Sequence, residues 1–315
     1  MAAREGPTPS RHLGLDLGGT NIKAVVVEQD DSWRVLDRDQ VPTPAHDGPD
    51  AVVQRLVEIG RELMGRTPDV STVGIGVPGL YDPETGATRF FVNVPGDWDG
   101  RPVGGPVAAA LGVPAALIND ARAFGVAELR LGAGRGASSM IGITLGTGVG
   151  GVMAIDGHVV QGHDGTAGEL GHQTLDPDGP PCGCGNRGCL EAYARGDRMA
   201  AACGTSTPEE AIERARAGDV AALEGFARVG RWLGIGIGNM ISVVTPDRVV
   251  IGGGLAVATD FMLDAIRAEL RRHVFTTSLE AVEIVTAELG TWAGAIGAAV
   301  HGAEHATLTG APVGR

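Results

Sequence analysis

Short apolar runs alternate with amphipathic segments along the first half of the chain. Residues 12–19 and 21–29 are apolar runs that meet at a Gly-Gly-Thr turn, a pattern typical of a β-hairpin. Residues 51–65 carry apolar side chains at helical spacing, after a Gly-Pro-Asp start and up to a closing glycine, and this pattern predicts a helix. The other elements predicted in this half are strands over 72–79 and 115–120 and a helix over 121–132.

The second half repeats this order of elements. Residues 140–155 read as a strand, a glycine-rich turn and a second strand, and a helical stretch follows over about 209–243. The later predicted elements are a strand over 248–256, a helix over 261–274, a strand over 281–289 and a helix over 291–303. Two halves that share this order predict an α/β fold of two similar domains with a cleft between them.

The same patterns predict the domain boundaries. We expect a small N-terminal α/β domain and a large C-terminal α/β domain, and the last helix could pack back on the first domain. Segments at the two ends lack periodicity and are expected to be disordered. The expected divisions are a leader over 1–11, the small domain over 12–120, the large domain over 121–290, the returning helix over 291–303 and a tail over 304–315.

Charge and composition narrow the class of protein. The formal net charge is −13, whereas a nucleic-acid-binding protein needs a basic face, so no nucleic-acid partner is expected. The N-terminal residues have no apolar core of the signal-peptide kind, and no uninterrupted apolar run is long enough to span a membrane. We therefore expect a cytoplasmic protein without a membrane partner, in which clustered cysteines serve metal or redox chemistry rather than disulfides.

Glycine-rich loops are the first candidate binding features. In DLGGTNIK (16–23), Gly18, Gly19 and Thr20 form a hairpin tip whose N–H groups could hold an anion. A plain hairpin turn explains this loop equally well. LGTGVGG (145–151) repeats the chemistry, and two such loops indicate a polyphosphate ligand; IGGGLA (251–256) adds a third loop where a flat ring could lie close to the backbone. Neither a P-loop nor a dinucleotide-binding fingerprint is matched.

Two polar pairs could carry chemistry. Asn119 and Asp120 end a buried strand, where a carboxylate is well placed to act as a general base. Taken alone, Asp120 is better explained as the N-cap of a helix beginning at Ala121. Glu169 and His172 are three residues apart in GELGH and would share one face of a helical turn.

Three of the four cysteines lie in CGCGNRGCLE (182–191). With His172 they make the pattern H-x9-C-x-C-x4-C, which supplies one imidazole and three thiolates from His172, Cys182, Cys184 and Cys189. Such a set closes a tetrahedral zinc shell and leaves no position for a catalytic water. A redox site would prefer C-x-x-C, and a C-x-C disulfide is strained. The pattern therefore predicts a structural zinc site, with Cys203 as a buried apolar residue.

Together these motifs resemble the ROK family of bacterial sugar kinases and related repressors. DLGGT, GIGVPG, IND, LGTGVGG, GELGH and CGCGNRGCLE stand in the family's order and at about its spacing, from residue 13 to about 303. The resemblance implies an actin-like, hexokinase-like fold that binds ATP with Mg²⁺ and a sugar. It further implies an ATP-dependent hexose kinase, most similar to the family's glucokinases, that assembles as a homodimer or homotetramer.

The resemblance also implies roles for individual residues. Asp120 is implied as the catalytic base that deprotonates the primary hydroxyl of the sugar, and His172 would serve both zinc and sugar. The implied sugar-binding residues are Gly79, Asn93, Asn119, Asp120, Glu169, His172 and Glu191. The implied ATP-binding residues are Asp16, Gly18, Gly19, Thr20, Lys23, Gly146, Thr147, Gly148, Gly252, Gly253 and Gly254.

Departures from the family pattern leave the sugar open. Arg122 and Phe124 follow Asp120 where many relatives have small polar residues, and Asp97 interrupts a stretch similar to that of the family's glucokinases. A kinase for N-acetylmannosamine or N-acetylglucosamine is therefore the alternative substrate assignment. A repressor is disfavoured by the acidic charge and the short segment before the first strand. A non-catalytic sugar-binding protein is disfavoured by the complete phosphate loops, and a polyphosphate donor by the cysteine set.

Overall fold

The computed structural model describes residues 9–82, 85–91 and 94–309, without the side chains of 306–309. The chain forms two compact units. The first unit comprises the chain as far as Gly132, the segment Gln161–Thr166 and the chain from Trp292 onward. The second unit comprises Ala133–Val160 and Ala167–Thr291. Among the described residues, no helix is both long and apolar enough to cross a bilayer.

The first unit is built on a five-stranded sheet with the order β3-β2-β1-β4-β7. Strands β1 to β3 form an antiparallel meander, and β4 and β7 run parallel to β1. A small β5–β6 hairpin stands apart from this sheet. The elements are β1 (Ser10–Leu17), β2 (Asn21–Gln29), β3 (Trp33–Pro42), α1 (Pro49–Arg66), β4 (Val70–Val77), β5 (Gly79–Tyr81), β6 (Thr88–Phe91), α2 (Gly104–Leu111), β7 (Ala115–Asn119) and α3 (Asp120–Leu131).

The second unit repeats this topology with the strand order β10-β9-β8-β11-β12. Strands β8, β9 and β10 are antiparallel neighbours, and β11 and β12 run parallel to β8. The elements are β8 (Met140–Leu145), β9 (Val149–Ile155), β10 (His158–Val159), α4 (Glu191–Ala194), α5 (Gly196–Cys203), α6 (Pro208–Arg216), α7 (Val220–Val244), β11 (Arg248–Gly252), α8 (Thr259–His273) and β12 (Glu283–Thr286). The predicted α/β fold class with two similar halves is thus confirmed.

The last helix, α9 (Ala293–Thr309), packs on the sheet of the first unit, chiefly against β1 and β4. Glycines make this approach sterically feasible. Gly14 and Gly74 are neighbours in the β1–β4 register. A Cβ atom would lie 1.9 Å from the Ala295 carbonyl oxygen at Gly14 and 1.7 Å from the Ala298 carbonyl oxygen at Gly74. The helix therefore touches the sheet backbone to backbone, and no side chain fits at either position.

Several predicted boundaries are wrong. Strand β1 begins at Ser10, inside the expected leader, and α9 continues to Thr309, inside the expected tail. Helix α3 belongs to the first unit, so the division falls after Gly132 rather than at Asp120. The predicted helix over 209–243 is two helices, α6 and α7, because Gly218 adopts a left-handed conformation with φ of 81° between them.

Candidate functional site

In the first unit, the β1–β2 turn is held by backbone hydrogen bonds. The Gly18 N–H donates to the Asn21 carbonyl over 3.1 Å. Thr43 binds the turn from outside, because its N–H donates to the Thr20 carbonyl over 2.9 Å and its hydroxyl donates to the Gly18 carbonyl over 2.7 Å. The carbonyls of Gly18 and Thr20 and the N–H of Gly18 are thereby bound within the protein, so the N–H groups of Gly19 and Thr20 are the features of the turn suited to an anion.

Asp16 lies at the end of β1, directly across the strand pair from Lys23. Burial, together with the negative charge of Asp120, raises the pKa of Asp16 to about 7, while the charge of Lys23 acts in the opposite direction. The first turn of α9 also packs on this carboxylate, since a Cβ at Gly294 would lie 2.5 Å from Asp16 Oδ2. The structure therefore brings Asp16, Lys23 and Asp120 into one electrostatically coupled group.

Asn119, not Asp120, caps helix α3. The Asn119 side-chain oxygen accepts hydrogen bonds from the N–H groups of Ala121 at 3.1 Å and Arg122 at 3.3 Å. The N-cap role expected for Asp120 is therefore wrong, because α3 begins one residue earlier than predicted and Asp120 is its first residue. The exposed Asp120 carboxylate accepts from the Ala121 N–H over 2.8 Å.

The Asn119 side chain also connects two of the implied sugar-binding residues, Asn119 itself and Gly79. Asn119 Nδ2 donates to the Gly79 carbonyl over 3.1 Å, so the turn after β4 is tied to the start of α3 beside Asp120. Gly79 has a φ of 125°, and a Cβ there would lie 2.2 Å from the Phe90 carbonyl oxygen, so this turn requires glycine. Asn93, the remaining sugar-contact prediction in this half, lies outside the described residues.

In the second unit, the β8–β9 turn and the loop after β11 pack together. The Leu255 N–H donates to the Leu145 carbonyl over 3.0 Å. Gly253, with a φ of 86°, would place a Cβ 2.4 Å from that same oxygen. The two glycine-rich loops are therefore in backbone contact. The sequence could not predict this contact, because the two loops lie far apart along the chain.

Beside these loops lies a cavity of 660 Å³, a size suited to a small molecule. Gly146, Thr147 and Gly254 line it, whereas Gly252 is the buried last residue of β11 and is absent from its walls. Other lining residues were not foreseen from the sequence, although the Thr-Pro-Glu-Glu start signature of α6 marks some of them. They include Arg195, Asp197, Ser206, Thr207 and Glu209.

Glu169, His172 and Glu191 lie on segments that pack against β9. His172 ends a single 3₁₀ turn, and its N–H donates to the Glu169 carbonyl over 3.0 Å. This turn approaches β9 closely, since a Cβ at Gly171 would lie 1.9 Å from the Val149 carbonyl oxygen. Glu191 is the first residue of α4, and its Oε2 accepts a hydrogen bond from the Val149 N–H over 3.0 Å.

The predicted metal-binding side chains converge. The ligand atoms of His172, Cys182, Cys184 and Cys189 all lie within 4.8 Å of one another. His172 Nδ1 is 3.6 Å from Cys182 Sγ, and the Sγ atoms of Cys184 and Cys189 are 3.8 Å apart. A tetrahedral zinc ion with Zn–S of about 2.3 Å and Zn–N of about 2.0–2.1 Å has S–N and S–S edges of about 3.6 and 3.8 Å. The donor set therefore fits a tetrahedral ion.

The loop backbone and the thiol electrostatics agree with this fit. Gly185 and Gly188 adopt positive φ values of 93° and 62° and let the loop turn around the thiols. Burial raises the pKa of the Cys189 thiol to about 12, so a cation is needed to stabilise its thiolate. Cys203 lies apart in a buried position, where its Sγ contacts the Ala222 carbonyl at 3.4 Å.

Comparison with known proteins places this architecture in a family. The sequence model of the ROK family matches residues 12–303. A glucokinase from Streptomyces coelicolor is 34% identical over 91% of this chain and 96% of the relative. An N-acetyl-D-glucosamine kinase from Yersinia pseudotuberculosis is 32% identical over 78% of this chain and 84% of the relative.

Solved structures of ROK family proteins are similar to this chain over nearly its whole length. The ROK hexokinase from Thermus thermophilus superposes with a TM-score of 0.84 at 35% identity, over 94% of this chain and 99% of that one. A ROK family glucokinase from Streptomyces griseus, in complex with glucose and AMPPNP, has a TM-score of 0.79 at 32% identity, over 94% and 100%. The family model matches both repeated units, and these solved structures share their fold. The chain therefore belongs to the ROK family and has its actin-like ATPase fold.

Proposed function

We propose that this ATP-dependent hexose kinase phosphorylates glucose at its primary hydroxyl, with Asp120 as the general base. The observation that carries the proposal is the position of Asp120 as the exposed first residue of α3, held by the Asn119 cap and coupled to Asp16. A carboxylate on a rigid helix start can accept a proton from a bound hydroxyl as that oxygen attacks phosphorus. The glucokinase relatives support glucose as the sugar.

Positioning and charge supply most of the catalysis in phosphoryl transfer. In the proposed mechanism the β1–β2 and β8–β9 turns would hold phosphate oxygens through their N–H groups, and Mg²⁺ bound with ATP would neutralise phosphate charge. The cavity of 660 Å³ beside Gly254 would receive the adenosine. Glu169, His172 and Glu191 would orient the sugar hydroxyls, and Asp120 would accept the proton of the attacking hydroxyl.

Zinc would have a structural role rather than a catalytic one. His172, Cys182, Cys184 and Cys189 would hold the ion, and the closed donor set leaves no position for substrate. Bound zinc would supply cross-linking of the cysteine loop to the turn that carries Glu169 and His172. The sugar-orienting side chains would then be held from outside the reaction centre.

The role of Asp120 is tested by Asp120→Asn. We expect kcat to fall by about 10²- to 10⁴-fold, the contribution of a positioned general base, with little change in glucose affinity or melting temperature. Asp264→Asn, at an exposed position on α8, is the matched control and should keep full activity. Near-normal turnover of a folded Asp120→Asn protein would rule out the mechanism.

The sugar is tested by ADP release with MgATP and a panel of glucose, mannose, fructose, N-acetylglucosamine and N-acetylmannosamine. The highest kcat/KM on glucose is expected. The highest value on an acetamido sugar would support the alternative that the Yersinia relative raises, and would leave the role of Asp120 intact. Absence of turnover on every sugar, together with absence of MgATP binding, would favour a non-catalytic sugar-binding protein.

A further inference from the structure

A second cavity of 940 Å³ lies in the second unit, where the C-terminal half of α8 faces the segment that leads into β12. It shares no lining residue with the cavity of 660 Å³. Leu270, Val274, Leu279, Val282 and Ile284 line it and also pack on or within the core of the second unit. We call this feature the α8 groove; its lining combines these apolar side chains with polar and charged ones, and its volume lies within the range of small-molecule sites.

Two arginines stand over this apolar surface. Arg267 and Arg271 line the groove, lie one helical turn apart on α8 and are both exposed. Within the described part of the chain, neither guanidinium has a carboxylate within salt-bridge distance. Like charges at this spacing on a helix repel each other, and a bound anion would relieve that repulsion.

Neighbouring charges show that this pair is not part of the ion-pair network on the same helix. The buried Glu269 carboxylate is contacted by Arg272 at 3.0 Å, by His273 at 3.2 Å and by Arg231 at 3.9 Å. Glu283, on the groove wall, is bound by Arg248 at 2.7 Å and so contributes little negative charge.

The remaining polar lining completes the charge balance. Glu280 lines the groove and carries one negative charge against two positive ones. The hydroxyls of Thr277 and Ser278 lie on the same walls and can donate hydrogen bonds. The helix dipole favours a positive charge in the last turn of α8, where Arg271 lies. Arg267 lies one turn earlier and gains little from the dipole.

We propose that the α8 groove binds an amphipathic anion of small-molecule size. Its apolar body would cover Val274, Val282 and Ile284, and its carboxylate, sulfonate or phosphate head would lie between Arg267 and Arg271. Guanidinium groups suit such heads because they donate paired, charge-assisted hydrogen bonds. This site is independent of the proposed kinase function, since it uses none of the residues assigned to sugar, ATP or zinc.

The test is a fluorescence titration of the full chain with 8-anilinonaphthalene-1-sulfonate, an apolar body with an anionic head. We expect one saturable site per chain, displaced by dodecanoate and unaffected by saturating MgADP. Arg267→Gln/Arg271→Gln should weaken binding by about ten- to a hundredfold, the effect of losing charge-assisted hydrogen bonds. Arg216→Gln removes an exposed arginine from the last turn of α6 and is the matched control, with unchanged binding expected.

The same variants distinguish binding in the α8 groove from binding elsewhere on the chain. Binding that survives the double substitution, or that MgADP abolishes, would overturn the proposal, because the probe would then lie outside the groove. A double variant that loses a subunit in sedimentation velocity would also overturn it and would assign the groove to a subunit interface. If the double variant does not fold, Val282→Asp tests the same groove by placing a carboxylate among its apolar side chains, and it should also weaken binding of the probe. Turnover of glucose should stay unchanged in all these proteins.

Discussion

The Oε2 atom of Glu191 accepts a hydrogen bond from the N–H of Val149 over 3.0 Å, while its Oε1 lies 3.6 Å from Cys182 Sγ. One carboxylate thereby connects the cysteine loop with the β8–β9 turn. A second tie runs nearby, since the Gly196 N–H donates to the Gly146 carbonyl over 2.9 Å. The segment after the cysteines therefore supports the turn proposed to bind phosphate.

Glu191→Ala tests this support. The substitution leaves the Val149 N–H without its acceptor and should weaken MgADP binding by about five- to thirtyfold, measured by calorimetry without sugar. Glu191→Gln keeps one acceptor oxygen and should bind MgADP nearly as well as the wild type. Glu224→Ala, exposed on α7, is the control. If Glu191→Ala loses glucose binding but keeps the wild-type affinity for MgADP, Glu191 contacts the sugar and does not support the phosphate-binding turn.

Cys184→Ser should remove the metal and weaken the sugar site together. We expect about one zinc ion per wild-type chain by elemental analysis and almost none in the variant, because three donors hold zinc far less tightly than a closed set of four. Glucose affinity should fall in parallel, since His172 and the turn that carries Glu169 lose their anchor. Cys203→Ser, outside the cluster, should retain both. Loss of zinc with unchanged glucose affinity would show that the loop does not shape the sugar site.

Gly74→Ala should destabilise the first unit by about 3 kcal/mol, the cost of overpacking where nothing can give way. The added methyl group would lie 1.7 Å from the Ala298 backbone oxygen and would push α9 off the sheet. Gly65→Ala, near the end of α1 with no atom within 4 Å of the new methyl group, should instead stabilise the protein by about 0.5–1 kcal/mol. Urea unfolding of the two variants gives opposite signs if α9 packs as described, and equal signs if it does not.

His12 should make the protein less stable in acid. Burial lowers its pKa from 6.5 to about 4, and its Nδ1 lies 2.8 Å from the Thr72 hydroxyl oxygen. As pH falls from 6.5 toward 4, the unfolded chain binds a proton that the folded chain does not. Stability therefore decreases through this window, by about 3 kcal/mol in full.

His12→Gln should flatten that pH dependence. The free energy of unfolding, measured in urea between pH 4.5 and 7.5, is expected to lose the contribution of one histidine. Part of the slope should remain, because burial also lowers the pKa of His301 to about 4. Parallel slopes for His12→Gln and the wild type would contradict the assignment.

Local chemistry made much of the fold predictable. The β1–β2 hairpin, α1, β4 and the paired strands β8 and β9 follow from apolar periodicity bounded by glycine. Strand β3 was not predicted, because it is an edge strand with no fully buried residue, so its alternation is weak. The break between α6 and α7 was also missed, since a single glycine inside a helical pattern is an ambiguous signal.

The sequence by itself determined the four side chains of the candidate metal site, because spacing within one loop limits which side chains can reach one ion. It also placed Asn119 and Asp120 at the junction between a strand and a helix, but only the tertiary structure decided which of them caps α3. Contacts between distant segments were decided in the same way: Glu191 with Val149, Gly74 with Ala298, and the arginines of α8 over the apolar side chains before β12. Such pairings depend on how whole elements pack, and a local pattern carries no information about the partner that packing brings to it.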